Sequence, residues 1–522
     1  MSRFSKIYYF PIYLALTLII GIYVGQSLSP GTPASLRSSK SDSLANEIYN
    51  LAEMLDLVKS NYVDSVDVTK IAQKGINDLL RQLDPHSAYI PSSMVEKMNE
   101  NLQGSFEGIG MEFTIFKDTI VVLKPIAGGP AEKVGLQPGD KMVQIEGKNV
   151  AGIHISTEDI MKKLRGKRGT VVNVSVLRRG EAKLLPFSIT RAEIPIHTVE
   201  AAYMLDSSTA YFRISDFGET TMQEFRDSYP YNNKKVKNVV VDLRNNGGGY
   251  LKTCTDLADE FLKNRELIVY TDDRQHQENK MFATEKGRFE EVKVFVLINN
   301  ESASASEIFA GAIQDNDRGT LVGKRTFGKG LVQEVFRLSD GGQMRLTVSR
   351  YYTPSGRCIQ REYKGLDYDE YAESNFDESK VDTTKVFYTK NKRKVYACGG
   401  VLPDVVISDS LNLSIDMVEL YKEDFIRKTA IHYYLAHKKE LKALTLERFM
   451  SSTALSADIS QYINQQLEES KLVKNPLNQV TRDYILKEVR GLVARSIWDS
   501  NAYYRVVLQN DPYLAYVLKQ LK

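Results

Sequence analysis

Residues 294–333 read VFVLINNESASASEIFAGAIQDNDRGTLVGKRTFGKGLVQ. The opening run, Val294 to Ile298, is short, branched and apolar without alternation, the pattern of a strand buried on both faces of a sheet. From Ser306 the apolar residues Ile308, Phe309, Ala312 and Ile313 recur at helical spacing, so the strand ends near Asn299 and a helix starts close to Ser302 and Ser304. A hydroxyl at a helix N-terminus sits beside free backbone N–H groups and the positive end of the helix dipole. It can cap the helix, or it can work where an oxyanion forms.

A serine attacks only when a base takes its proton, and the usual base is histidine. The chain has 6 histidines, none in a recognisable motif. His276 lies in a polar loop, and His432 and His437 lie in a charged helical stretch. A lysine can take the role where burial leaves its amine neutral, and Lys329 stands between Gly328 and Gly330, where the backbone can approach another segment closely. A second strand–turn–helix unit lies upstream at NVVVDLRNNGGGY, residues 238–250. Its apolar strand ends in three glycines, and a helix with Leu251, Leu257, Ala258, Phe261 and Leu262 follows. Such a turn brings bare amides into a cleft.

The phrases SASASE, around Ser304, and FGKG, around Lys329, closely resemble the signature of the C-terminal processing, or tail-specific, proteases. The resemblance implies a Ser-Lys dyad with Ser304 as nucleophile, Lys329 as general base and Gln333 orienting the lysine. Ser302 and Ser306 become neighbours without catalytic duty, and Glu307 and Asp315 are read as structural. In that family the DLRNNGGG element gives an N–H to the oxyanion hole, so Gly248 or Gly249 is the candidate, with the amide of Ala305 as the second donor. LDPHSAYI, QMRLTVSRYYTPSGRCI and GGVLPDVVI are further shared phrases. His86, after Asp84-Pro85, is read as a capping or turn residue.

Between Gly104 and Arg191 the chain reads as a small β-rich module with one clear helix, STEDIMKKLRG, and it strongly resembles a PDZ domain, above all at GLQPGD, residues 135–140. By that resemblance Gly108, Ile109, Gly110 and Met111 form the loop whose amides hold a peptide's terminal carboxylate while the peptide adds a strand to the sheet. Ile160 and Leu164 either line that groove or pack in the core. Arg165 is read as a solvated surface charge ahead of two other roles, reading the carboxylate or contacting the protease domain.

The expected fold is therefore multidomain α+β: an α/β crotonase-like protease core with an inserted PDZ domain and helical N- and C-terminal segments. The segments are 1–26 (signal anchor), 27–46 (linker), 47–101 (helical), 102–191 (PDZ), 192–410 (protease core) and 411–522 (helical). The last is read as an appended domain that packs, caps the active site, forms a homo-oligomer or docks an adaptor. Glu362 to Lys394, charged and rich in tyrosine, is read as an inserted surface loop.

With 522 residues, 42% hydrophobic and 26% charged, the chain is long enough for several domains. Its net charge of +3 gives no reason to expect nucleic-acid binding. Arg3 and Lys6 precede an uncharged apolar run, Ile7 to Gln26, long enough to span a bilayer. The expectation is a retained single-pass inner-membrane anchor with the catalytic domains in the periplasm. Gly21 and Gly25 form one GxxxG, weak evidence for helix pairing. Of the 3 cysteines, Cys254 is expected to pack in the interior, and Cys358 with Cys398 could form a disulfide in an oxidising compartment. No metal site is expected and no cofactor is required.

The reading that follows is a membrane-anchored serine endopeptidase acting on proteins and peptides with exposed C-termini. Its alternatives are an inert PDZ-containing scaffold and a crotonase-like acyl-thioester enzyme. The joint presence of Ser304, Lys329 and Gln333 tells against the first, and the PDZ module and export signal against the second.

Overall fold

The computed structural model describes residues 39–229, 236–364, 370–371, 384–408 and 412–522. Two compact units divide after Leu79. The first carries the helix Ser39–Asn61, which starts inside the stretch read as a linker, and most of the helix Val68–Arg81.

The second unit is built on a six-stranded sheet. Its strands are β1 (Val199–Met204), β2 (Thr209–Ile214), β3 (Asn238–Asp242), β4 (Lys293–Ile298), β5 (Thr320–Gly323) and β6 (Val405–Val406), side by side in that order. β1 runs antiparallel to β2, and every later neighbour pair is parallel. Parallel strands need crossover connections, and the helices α1 (Thr221–Ser228), α2 (Leu251–Asp259) and α3 (Ala305–Asp315) lie in them. Val239, Val241, Val294, Val296 and Ile298 pack with Leu257, Phe261, Phe309 and Ile313 on the helical face. Val240, Phe295 and Leu297 point the other way, against Tyr513, Leu514 and Val517. The continuous apolar run of β4 thus has its cause, since both faces are covered. The cover on the second face is the last helix of the chain, Pro512–Gln520.

A five-stranded sheet carries the rest of the core. Its central strand, Gln343–Tyr352, pairs antiparallel with Ala88–Ile90, Leu267–Asp273 and Leu331–Arg337. The PDZ module is a separate antiparallel sheet with Met111–Phe116 at one edge and the helix Thr157–Leu164 against it. Its core holds Ile109, Ile120, Met142, Val172, Val174, Val176 and Ile189. Ile160 and Leu164 belong to this core and not to a groove wall, for both are buried within it. Strands Ser105–Gly108 and Ala192–Pro195 pair as a two-stranded ribbon where the module leaves and rejoins the core.

Helices fill 417–522, as the periodicity predicts. Helix Phe425–Leu441 lays His432 against the Phe116 ring of the PDZ edge strand, centroids 3.8 Å apart. Helix Gln479–Ile497 pairs Arg495 with Glu112 of the same strand at 2.8 Å.

Three expectations are corrected. Among the described residues no helix is long and apolar enough to cross a membrane. Ile7–Gln26 and the Gly21/Gly25 pair lie outside the described residues, so no described helix carries the expected inner-membrane anchor with periplasmic catalytic domains. Arg165 is not a solvated charge: it pairs with Glu100 and lies over the Phe106 ring, 4.7 Å from its centroid. The Cys358–Cys398 disulfide is not formed, and Cys398 Sγ, as a thiol, donates to the Gly400 carbonyl at 3.7 Å. Cys254 is buried in the core as expected.

Candidate active site

Of the three serines in SASAS, two are tied down. Ser302 and Ser306 are fully buried, their hydroxyls donating to the carbonyls of Leu243 at 2.8 Å and Asn246 at 3.0 Å. Both bonds run to the DLRNNGGG turn and pin it to the start of α3. Ser304, the N-cap of α3, has φ +56° and ψ −114°. A non-glycine residue there is strained, and the surrounding bonds hold it.

The holding group is Glu307. Its fully buried carboxylate accepts from Ser304 N at 2.8 Å, Thr326 Oγ1 at 2.6 Å, Gly328 N at 2.7 Å and Lys329 N at 2.8 Å. One side chain thus fixes the backbone under both Ser304 and Lys329. Burial pushes its carboxyl up to about 7, against the four donors, which favour the ionised form. Tyr351, also buried, donates its phenol to the carbonyls of Ser304, at 3.1 Å, and Lys329. Glu307 carries a sequence signal, three residues after the N-cap as in a capping box. Tyr351 carries none, because only the register of the five-stranded sheet brings it beneath the other two.

Ser304, Lys329, Gln333, Gly248, Gly249 and Ala305 line one cleft of about 810 Å³. Lys329 Nζ donates to Gln333 Oε1 at 2.9 Å, and Gln333 Nε2 donates to the His86 carbonyl at 2.6 Å. The amide is thereby oriented with its oxygen toward the amine. Burial first, and the positive charge of Arg345 second, hold the Lys329 amine below the ordinary lysine range, while Asp84 and Glu307 oppose them. His86 serves by its backbone. Its imidazole is pushed down to about 3, by burial first and then by Lys329, and the His86 backbone N–H donates to Asp84 Oδ1 at 2.8 Å in the turn expected there.

The glycine turn separates its two candidates. Gly248 N–H donates to Asn246 Oδ1 at 2.8 Å. Neither Gly249 N–H nor Ala305 N–H has an acceptor among the described residues. Gly248 has φ +106°, and a Cβ on it would lie 2.8 Å from both the Ala303 carbonyl oxygen and Ser304 Cβ, so only glycine fits against the serine. Asn246 is, with Tyr351, a residue that sequence reasoning missed: buried, it donates to the Ile214 carbonyl at 2.9 Å, and its own backbone carbonyl accepts from Ala303 N.

The loop Gly108–Met111 lies apart from the cleft, in the PDZ module. Ile109 and Gly110 give their carbonyls to Ala131 N and Ile126 N at 2.8 and 2.9 Å. Gly110 has φ +69°, and a Cβ there would meet Ile194 Cδ1 at 2.8 Å.

Residues 208–372 match peptidase family S41 and residues 121–178 match the PDZ domain. Residues 417–499 match a family of unknown function, DUF8443. A carboxy-terminal-processing protease of Bartonella bacilliformis is 33% identical over 66% of this chain and 79% of its own length. The carboxy-terminal processing protease CtpA of Bacillus subtilis is 30% identical over 82% of this chain and 89% of its own length. Among solved structures, the photosystem II D1 C-terminal processing protease is 26% identical over 70% of this chain and 94% of its own, with a TM-score of 0.36, too low to add to what the strands themselves show. The chain belongs to the carboxy-terminal processing proteases of peptidase family S41, serine peptidases that carry a PDZ domain.

Proposed function

We propose that Ser304 is the nucleophile of this peptidase and Lys329 its general base, on a crotonase-like core. The observation that carries the reading is the Lys329–Gln333 bond inside the cleft onto which Ser304 opens. A neutral Lys329 amine takes the Ser304 proton as Oγ attacks the peptide carbonyl carbon. The carbonyl oxygen becomes an oxyanion, and Ala305 N–H and Gly249 N–H receive it; Gly249 is chosen over Gly248 because the Gly248 amide is committed to Asn246. Collapse of the intermediate breaks the C–N bond, and the leaving amine takes the proton back from Lys329. Water, deprotonated by the neutral Lys329 amine, then attacks the acyl carbon, and as the ester bond breaks Ser304 Oγ takes that proton back from Lys329. Gln333 orients the amine throughout. None of these steps calls on a cofactor.

The substrates are proteins and peptides with exposed C-termini. Gly108, Ile109, Gly110 and Met111 would hold the terminal carboxylate through backbone amides, while the chain upstream adds to the edge strand Met111–Phe116. The module spans 102–191, between the helical 47–101 and a core of 192–410, which the helical 411–522 follows. Paired peptides, one with a free C-terminal carboxylate and one amidated, test tail recognition. The free acid should be cleaved with about tenfold higher kcat/KM, the worth of one charge-assisted contact. Equal rates would remove the PDZ loop from the account.

A further inference from the structure

Gln333 is aimed at Lys329 by a bond from outside its own strand. It stands on Leu331–Arg337, whose ladder with Gln343–Tyr352 is irregular at that point: Val332 faces Ser349 but Gln333 faces Thr347, so Val348 is skipped. A bulge of this kind re-aims the side chains beside it, and strand pairing alone does not fix where the Gln333 amide points. The His86 carbonyl fixes it, receiving Gln333 Nε2 at 2.6 Å and leaving Oε1 for Lys329 Nζ. That carbonyl belongs to a turn built around one side chain. Asp84 Oδ1 accepts from the backbone N–H groups of His86 and Ser87, each at 2.8 Å, and Asp84 Oδ2 accepts from Ser87 Oγ at 2.7 Å. Pro85 presets φ for such a turn and has no N–H of its own to satisfy.

We propose that Asp84 is a positioning residue for the reaction: its carboxylate folds the 84–87 turn that holds the Gln333 amide in line with the Lys329 amine. The Ser87 N–H and the His86 carbonyl share one planar peptide and point to opposite sides of it, so an acceptor fixed on the N–H aims the oxygen. A second route reaches the same glutamine. Ser87 Oγ accepts from Thr347 N at 3.2 Å, and Thr347 is the residue facing Gln333 across the ladder. Asp84 thus acts on the Gln333 amide through His86 and on its backbone through Ser87 and Thr347. Both Asp84 and Ser87 are buried, so water does not compete for these bonds. Burial opposes ionisation of Asp84, but the Ser87 hydroxyl and the two N–H groups outweigh it and hold the carboxyl below its ordinary range, as an acceptor.

The proposal rests on Lys329 being the base with Gln333 orienting it, and its test keeps the two apart. In the full-length protein, Asp84→Ala should lower kcat about tenfold at a nearly unchanged KM, since a misplacement of about 1 Å costs up to about a hundredfold. Asp84→Asn keeps an oxygen for both N–H groups while losing the charge, and it should recover most of that loss. Asp84→Ala at the parent rate, or Asp84→Asn as slow as Asp84→Ala, overturns the proposal. A double-mutant cycle separates aiming from general support of the fold. Gln333→Ala should itself be slower than the parent by about tenfold or more. Adding Asp84→Ala to it should change kcat by less than about twofold, because the amide to be aimed is gone; a further loss of about tenfold overturns the proposal. Where Asp84→Ala fails to fold, Pro85→Gly loosens the same turn without touching its acceptor. Its kcat should fall about threefold in the parent and stay level in Gln333→Ala. An unchanged kcat in the parent, or the same fall in both backgrounds, overturns the proposal. Activity retained in Lys329→Ala would instead remove the reading on which it rests.

Discussion

Lys329→Ala should lower kcat/KM by about 10⁴-fold or more, the scale seen when the base of a serine hydrolase is removed. The loss follows from the geometry: among the described residues the cleft offers no histidine ring to take over, since His86 contributes its backbone there and its imidazole, pushed down to about 3, is too weak a base to take the serine proton. Lys329→Arg should be equally inactive, because a guanidinium stays protonated and cannot accept the serine proton. The sign of the pH dependence follows from the direction of the shift. A base works only when unprotonated, so activity in the parent enzyme rises with pH through the lowered lysine value, and the acid limb lies below the ordinary lysine pKa of about 10.4. The measurement is steady-state cleavage of one peptide across pH 6 to 10, with circular dichroism to show that the variants fold. Parent-like rates in Lys329→Ala would end the dyad reading.

The second large effect is expected at Glu307. Glu307→Ala leaves the N–H groups of Ser304, Gly328 and Lys329 and the hydroxyl of Thr326 without their acceptor in a buried site. A stranded buried donor costs about 1–3 kcal/mol, and partial relaxation or water entry recovers some of that. A destabilisation of at least about 3 kcal/mol in denaturant unfolding is therefore expected. Activity should fall as well, because the strained Ser304 conformation and the Lys329 backbone lose their common anchor. Glu307→Gln keeps the shape but brings an NH2 group against those donors, so it should fall between parent and alanine in stability. Unfolding of Glu307→Ala within about 1 kcal/mol of the parent would show that Glu307 does not hold the site.

The elements legible from sequence were those whose cause is local. The apolar runs 239–241 and 294–298 became adjacent parallel strands because a strand covered on both faces needs such a run. The glycines at 247–249 and the serines at 302–306 met because both lie at the C-terminal ends of those strands. What stayed hidden was set by tertiary register. Tyr351 reaches Ser304 and Lys329 only through pairing of Gln343–Tyr352 with Leu331–Arg337. Asn246 reads as one more polar turn residue until its carbonyl is seen to receive Ala303 and Ser306. The choice between Gly248 and Gly249 needed the Asn246 side-chain bond, which no spacing encodes. Arg165 looked solvated because its partner, Glu100, lies 65 residues away, on the helix Ser92–Gln103. At the C-terminus the periodicity revealed helices but not that the last of them closes the second face of the core sheet.

The central claim is that one serine of SASAS does the chemistry and that the other two hold the turn. The direct measurement is cleavage of a C-terminally free peptide by purified Ser304→Ala beside the parent enzyme, with the fold of each verified by circular dichroism. The account predicts a folded variant that yields no product above the uncatalysed rate. Product formation at a rate comparable to that of the parent enzyme would contradict it.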